Sequence, residues 1–364
     1  MAGNGQDAPP QRPRAARAAG FFWVRMGLLE GLALAFWLTG AGAWLAARVA
    51  GGGGIWGYAL FVLLCVATYE ALTFPITRMA GIALDGDGEG FGPWFFDYLF
   101  AMVLELGVIT AAAVAGRWLW EFLGGAWWLG GTAAYLVMSP DMWPLALRLG
   151  GRRAEPVPDP PWLARVQSAL DALGRRRPAG VAVYDGGERG PKLRDAHYFY
   201  SKHRAPTLVF LRGAWEDAAP DALVFLAVWE GVRRKLRRGG RLFSVAVAAL
   251  VLWGAGRAVG ASGFPGGLGS APAFPAFVVW FFAFASVGGI LRNGAAKIAD
   301  AIADRAACRA LGGTAEMRAW ADAAERRADS SGPLPWWTEI LQDSRRPSER
   351  LQAVQNRIPP PPAP

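Results

Sequence analysis

The chain has 364 residues, 53% of them hydrophobic and 18% charged, with a mean hydropathy of +0.21, which excludes a disordered or collagen-like polymer. Its two cysteines, Cys65 and Cys308, exclude a disulfide framework, and its two histidines, His197 and His203, are all that an imidazole-based zinc site has to draw on. A net charge of +9 in so apolar a chain fits a membrane protein with basic cytosolic faces better than a nucleic-acid binder.

Residues 1–26 contain Arg12, Arg14, Arg17 and Arg25 and lack a small-residue cleavage site after a short apolar core. They read as a disordered basic arm rather than a removable signal. A bilayer-spanning helix needs about 20 mostly apolar residues. Windows at 28–49, 55–74, 95–114 and 126–147 meet that test, giving a four-span membrane region over 27–147. A membrane hairpin over 242–292 adds windows 242–259 and 274–291, for about six spans in all. The arginines before the first window place the N-terminus in the cytosol. Six crossings then leave the turn at 51–54, the turn around Arg117 and Glu121, and the Gly/Pro-rich loop 258–272 outside, and all three are poor in Lys and Arg. The segment 148–241, with Arg175, Arg176 and Arg177 and the run from Arg233 to Arg238, falls inside.

Two water-exposed pieces remain, 148–241 and 293–358. Leu163, Val166, Leu170 and Leu173 form a helical stripe, and 181–184 and 207–211 have strand character, separated by a Gly- and charge-rich hairpin or loop. Residues 221–235 read as helix, followed by a basic turn before the membrane hairpin. Beyond the hairpin, 297–311 and 316–327 are Ala-rich helices. The whole is an all-α polytopic membrane bundle with a small cytosolic α+β domain, ending in a Pro-rich tail at 359–364.

Asp85, Asp87 and Glu89 alternate with glycines, but the twelfth position of a calcium loop would be Phe96, so the segment reads as a flexible acidic turn. The arginine runs lack interleaved aromatics and suit anionic lipid headgroups rather than nucleic acid. In the apolar helix at 222–234, Glu230 follows Trp229 and precedes Arg233 by three. In an H-E-x-x-H helix two histidines four apart bind zinc, and the intervening Glu activates the metal-bound water. Glu230 holds the Glu position here, while Trp229 and Arg233 hold the histidine positions.

With its flanking segments, this helix resembles the membrane zinc metallopeptidases of the CAAX prenyl protease type 1 and HtpX-like group. Thr73-Phe74-Pro75, Gly90-Phe91-Gly92 with Trp94, and Trp127-Trp128 followed by Ser139-Pro140 resemble the family's membrane segments. Asp195-Ala196-His197-Tyr198-Phe199 is similar to its N-A-Y-F strand, 300–304 to its E-x-x-A-D element, and 348–351 to the end of its H-P-x-x-x-E-R-I element. The resemblance covers roughly 70–355 and implies a zincin-like domain.

The departures fall on the functional positions. The third zinc ligand, a Glu in the family, is Asp300, and the late His-Pro pair corresponds to Ser344-Arg345. An indole offers zinc no lone pair and a guanidinium stays protonated. Asp304 and Arg350 are expected to support the site. The resemblance therefore implies a degenerate homologue that has lost zinc and carries no other cofactor, with Glu230 vestigial. Two readings of Arg233 stay open: its cation lies near the vacated metal position, paired with Glu230 and Asp300, or it belongs to the solvated face of the Arg233–Arg238 run. The expected role is binding or scaffolding in the inner membrane, with lipid and a peptide or membrane protein as partners. The competing reading is an active membrane zinc metalloendopeptidase with an unconventional site.

Overall fold

The computed structural model describes residues 14–49, 54–85, 90–139, 154–184, 196–199, 206–264, 266–327 and 346–357. Its backbone is mostly helical and falls into two compact units. One holds the described residues up to Tyr135 together with Ala246–Gly289. The other holds those of Leu136–Val245, Ile290–Ser330 and Glu339–Pro364.

The first unit opens with α1, Arg14–Leu38, and α2, Ala41–Val49, bent by 76°. Gly40 sits at φ 74°, where a side chain would be strained, and so ends α1. The Thr39 hydroxyl donates to the Ala35 carbonyl at 2.6 Å and accepts from the Ala41 amide at 3.3 Å, closing one helix and starting the next. Because α1 starts at Arg14, the second half of the stretch expected to be a disordered arm is helical instead. The Ala15-Ala16-Arg17-Ala18-Ala19 run combines residues of the highest helix propensity.

Helix α3, Ile55–Asp85, and α4, Phe91–Leu123, are followed by a short 3₁₀ turn and α5, Trp127–Met138. The resemblance segments of α3 and α4 meet: Phe74 packs against Trp94, Phe95 and Tyr98 at ring-centroid distances of 5.7, 6.2 and 5.1 Å. Helix α4 buries none of its residues inside the fold and exposes Phe96, Phe100, Val103 and Leu104. An apolar helix left uncovered by protein is solvated by lipid.

In the second unit, β1 (Glu155–Val157), α6 (Leu163–Ala172), β2 (Gly180–Tyr184), β3 (Ala196–Phe199) and β4 (Thr207–Leu211) precede the short α7, Arg212–Asp217. The sheet order is β1-β2-β4-β3. β2 and β4 run parallel, from Gly180 beside Thr207 to Tyr184 beside Leu211, so they are not the two arms of a hairpin. β3 supplies the antiparallel partner of β4, with Ala196 opposite Phe210 and Phe199 opposite Thr207. The runs 181–184 and 207–211 have apolar residues at successive positions, the pattern of strands covered on both faces.

Helix α8, Pro220–Ala261, is one continuous helix of 42 residues. It begins with Pro at its first position and Asp221 in its first turn, both favoured there. Residues 222 to 230 are all buried. The basic turn expected after residue 235 is helical, because Arg and Lys are good helix formers and Gly239-Gly240 alone does not offset them. Helix α9, Ala273–Leu311, likewise joins the expected last span and the following Ala-rich helix without a break. Helices α10, Ala315–Arg327, and α11, Pro347–Gln355, complete the unit. Its core gathers Leu163, Val166 and Leu170 of α6, Phe210 of β4, the 222–229 stretch of α8, Ala303 and Ala307 of α9, and Met317 and Trp320 of α10.

Among the described residues four helical segments are long and apolar enough to cross a membrane, or five where the bent pair α1–α2 counts as one broken span. The third and fourth expected windows fall on one of these segments, Phe91–Met138, so at most five spans correspond to the six windows. Residues 140–147 of the fourth lie outside the described residues, as do the acidic turn at 86–89, His203, Ser344 and the Pro-rich tail.

Candidate functional site

The candidate site is built from α8, α9, α10 and α11 of the second unit. On α8, Glu230, Arg233 and Arg237 stand at i, i+3 and i+7, which puts them on one helical face. On α9, Asp300 and Asp304 stand at i and i+4 and share a face in the same way. Glu230, Asp300 and Asp304 are at most 2% exposed, and Arg233 and Arg350 are 8% exposed. Charges this deeply buried persist only when paired.

Each carboxylate has a guanidinium against it. Arg233 Nη1 lies 2.8 Å from Asp300 Oδ1. Arg237 Nη2 lies 2.5 Å from Glu230 Oε1 and donates to Oε2 at 2.6 Å. Arg350 Nη2 and Nε donate to the two oxygens of Asp304 at 2.5 and 2.9 Å, a bidentate fork that only a guanidinium can make. The three acids and three arginines balance in formal charge.

Trp229 and Trp320 complete the packing. The Arg233 guanidinium lies over the Trp229 ring at 4.8 Å, and Arg350 lies over both Trp229, at 5.2 Å, and Trp320, at 4.5 Å. The Trp229 ring thus meets two buried cations, which its quadrupole stabilises. Trp229 Nε1 and Trp320 Nε1 are buried and donate no hydrogen bond among the described residues. At Gly231, one residue past Glu230, a Cβ would stand 2.5 Å from Leu170 Cδ2, so the glycine lets α6 approach α8 behind the site.

The expected site residues therefore converge, apart from Ser344, with one difference from expectation. Arg233 meets Asp300, and Arg237, one helical turn further on, is a partner of Glu230 that the sequence did not lead one to expect. His197 lies on β3 with its backbone in register with Val209. Among the described residues, no three His, Cys, Asp or Glu side chains form a group of the kind that holds a metal ion.

Sequence reading missed Arg237 as a partner, because it sits in a basic run that resembles a solvated face. The i+7 spacing from Glu230 was the available signal. It also missed a polar cluster in the first unit. Arg25 of α1 pairs with the 1% exposed Glu70 of α3 at 2.7 Å and with Glu105 of α4 at 3.7 Å, while the Tyr98 hydroxyl donates to Glu70 at 3.1 Å. A carboxylate inside each of two apolar windows was the signal there, since such residues are rare in spans and seldom unpaired.

No protein-family model matches the sequence, and no curated protein matches it. Among solved structures the chain is similar to Ste24p of S. mikatae, with a TM-score of 0.55 and 12% sequence identity, over 82% of this chain and 75% of that one. At that identity the likeness establishes a shared fold, that of a helical, multi-pass membrane protein.

Proposed function

We propose that this protein is a CAAX-protease-like membrane protein whose metal centre has been replaced by an arginine network, and that it binds a partner without cutting it. The shared fold with Ste24p supports the resemblance read in the sequence. The carrying observation is the 2.8 Å contact of Arg233 with Asp300, at the two positions where the resemblance places metal ligands. A guanidinium there neutralises the acid that a zinc ion would otherwise serve, and repels a dication from the same point. The donors do not fit zinc: carboxylates engaged by arginine, with an indole in place of an imidazole, make a poor set for that ion. Glu230, held by Arg237, has no metal-bound water to activate in this arrangement. The N-terminus and the second unit face the cytosol of the inner membrane in this reading, with lipid and a peptide or membrane protein as partners.

Metal analysis of the purified chain is the direct test. The expected result is sub-stoichiometric zinc that does not change in Glu230→Gln or Asp300→Ala. Stoichiometric zinc that disappears in those variants, with peptide cleavage lost alongside it, would establish the active metalloendopeptidase instead.

A further inference from the structure

A cavity of about 450 Å³ opens beside the arginine network, in the size range of small-ligand sites. Its ionisable lining consists of Lys297, Arg305, Arg350, Arg357, Asp300 and Asp304. Both acids are engaged already, Asp300 by Arg233 and Asp304 by Arg350. Arg305 donates through Nε to the Ala301 carbonyl of its own helix, at 3.0 Å, and neither it nor Arg357 meets a carboxylate among the described residues. The wall is therefore cationic in excess, and two of its guanidinium forks face no acid. Fixed cations around a cavity recognise an anion, and planar forks suit the oxygens of phosphate.

The apolar part of the lining narrows the class further. Ile298, 64% exposed, and Ala301, Ala353 and Val354 alternate with the cations. Lys297 lies six residues beyond Leu291 on the same helix, about 9 Å along its axis. A headgroup layer is roughly 5–8 Å deep on each side of the hydrocarbon. On that scale Lys297 stands near the water-side edge of the headgroup layer, and Arg305, eight residues on, stands further towards water. We infer that this cavity is a binding site for a phosphate group, as a monoester or diester carrying an adjoining apolar portion. The inference deepens the non-catalytic reading by naming a ligand chemistry, yet it fails separately from it, because zinc content and phosphate binding are measured independently.

The test uses the full chain in phosphatidylcholine nanodiscs. In one arm, glycerol 3-phosphate is titrated and binding is followed calorimetrically. In the other, the discs carry phosphatidylglycerol or phosphatidic acid, and lipid retained on the protein is counted by native mass spectrometry. The expected result is saturable binding in at least one arm, weakened at least about tenfold by Arg305→Gln/Arg357→Gln. The control Arg309→Gln/Arg326→Gln, which removes two exposed cations that do not line the cavity, keeps the wild-type affinity. Binding in the first arm assigns the site to soluble phosphate compounds, and binding in the second alone assigns it to headgroups. Absence of saturable binding in both arms overturns the proposal, and so does an equal loss in the two variants, which marks diffuse attraction. Should the double variant melt below the wild type, Arg357→Gln alone, at an exposed position just past α11, is the variant that decides.

Discussion

Arg350 shows how finely the site depends on single groups. Its guanidinium serves both oxygens of Asp304 and stacks on Trp320, so Asp304→Ala leaves a buried cation with only indoles for company. The expected loss is about 3–5 kcal/mol, the range for removing one partner of a buried pair, read as a lower melting temperature of the detergent-solubilised chain. Trp229→Phe is expected to stay within about 1 kcal/mol of wild type, because a ring face remains under Arg233 and the unsatisfied indole N–H disappears. Much of this constellation was legible in the sequence, through a motif whose Glu remained while its histidines did not. The pairing of Arg233 with Asp300 was one of two readings that the comparison left open, the other being a solvated arginine face. The Glu230–Arg237 pair was not, because a string of arginines carries no mark of which member turns inward.

The long helix α8 is where sequence reading and structure part most clearly at the scale of elements. A buried apolar stretch, a basic run and a membrane-like segment differ in composition, so the sequence divides at each change. The backbone follows propensity rather than composition and runs through all three. Gly239→Pro distinguishes the two pictures. In the interior of a helix it costs roughly 3 kcal/mol or more, and in a turn it is tolerated, so circular dichroism melts of the variant are expected to show a clear loss. The strands were half legible for a similar reason. Apolar runs marked β2 and β4, but whether two strands pair parallel or as a hairpin depends on what lies between them. Here it is β3, which occupies the far edge of the sheet beside β4.

Across the whole molecule, periodic apolar windows proved the most legible feature, since the length of a span is dictated by the bilayer rather than by packing. The orientation proposed from charge is open to direct measurement. In a chain freed of Cys65 and Cys308, Ser262→Cys, in the loop joining α8 to α9, is expected to react with an impermeant thiol reagent added outside intact cells. Arg176→Cys is expected to react only after the membrane is opened, and the reverse pattern would invert the proposed topology. The ion pair between Arg25 and Glu70 also bears on how the chain is made. A translocon releases helices one after another, and α1 reaches the lipid well before the acid on α3 has been synthesised. Until Glu70 arrives, Arg25 has no buried carboxylate to meet, so α1 is expected to be held or to remain shallow and to settle only when α3 joins it. Stalled nascent chains ending near residue 95 should then extract from membranes more readily than chains ending near residue 140, and Glu70→Gln should erase most of that difference. The first helix made is, on this view, completed by the third.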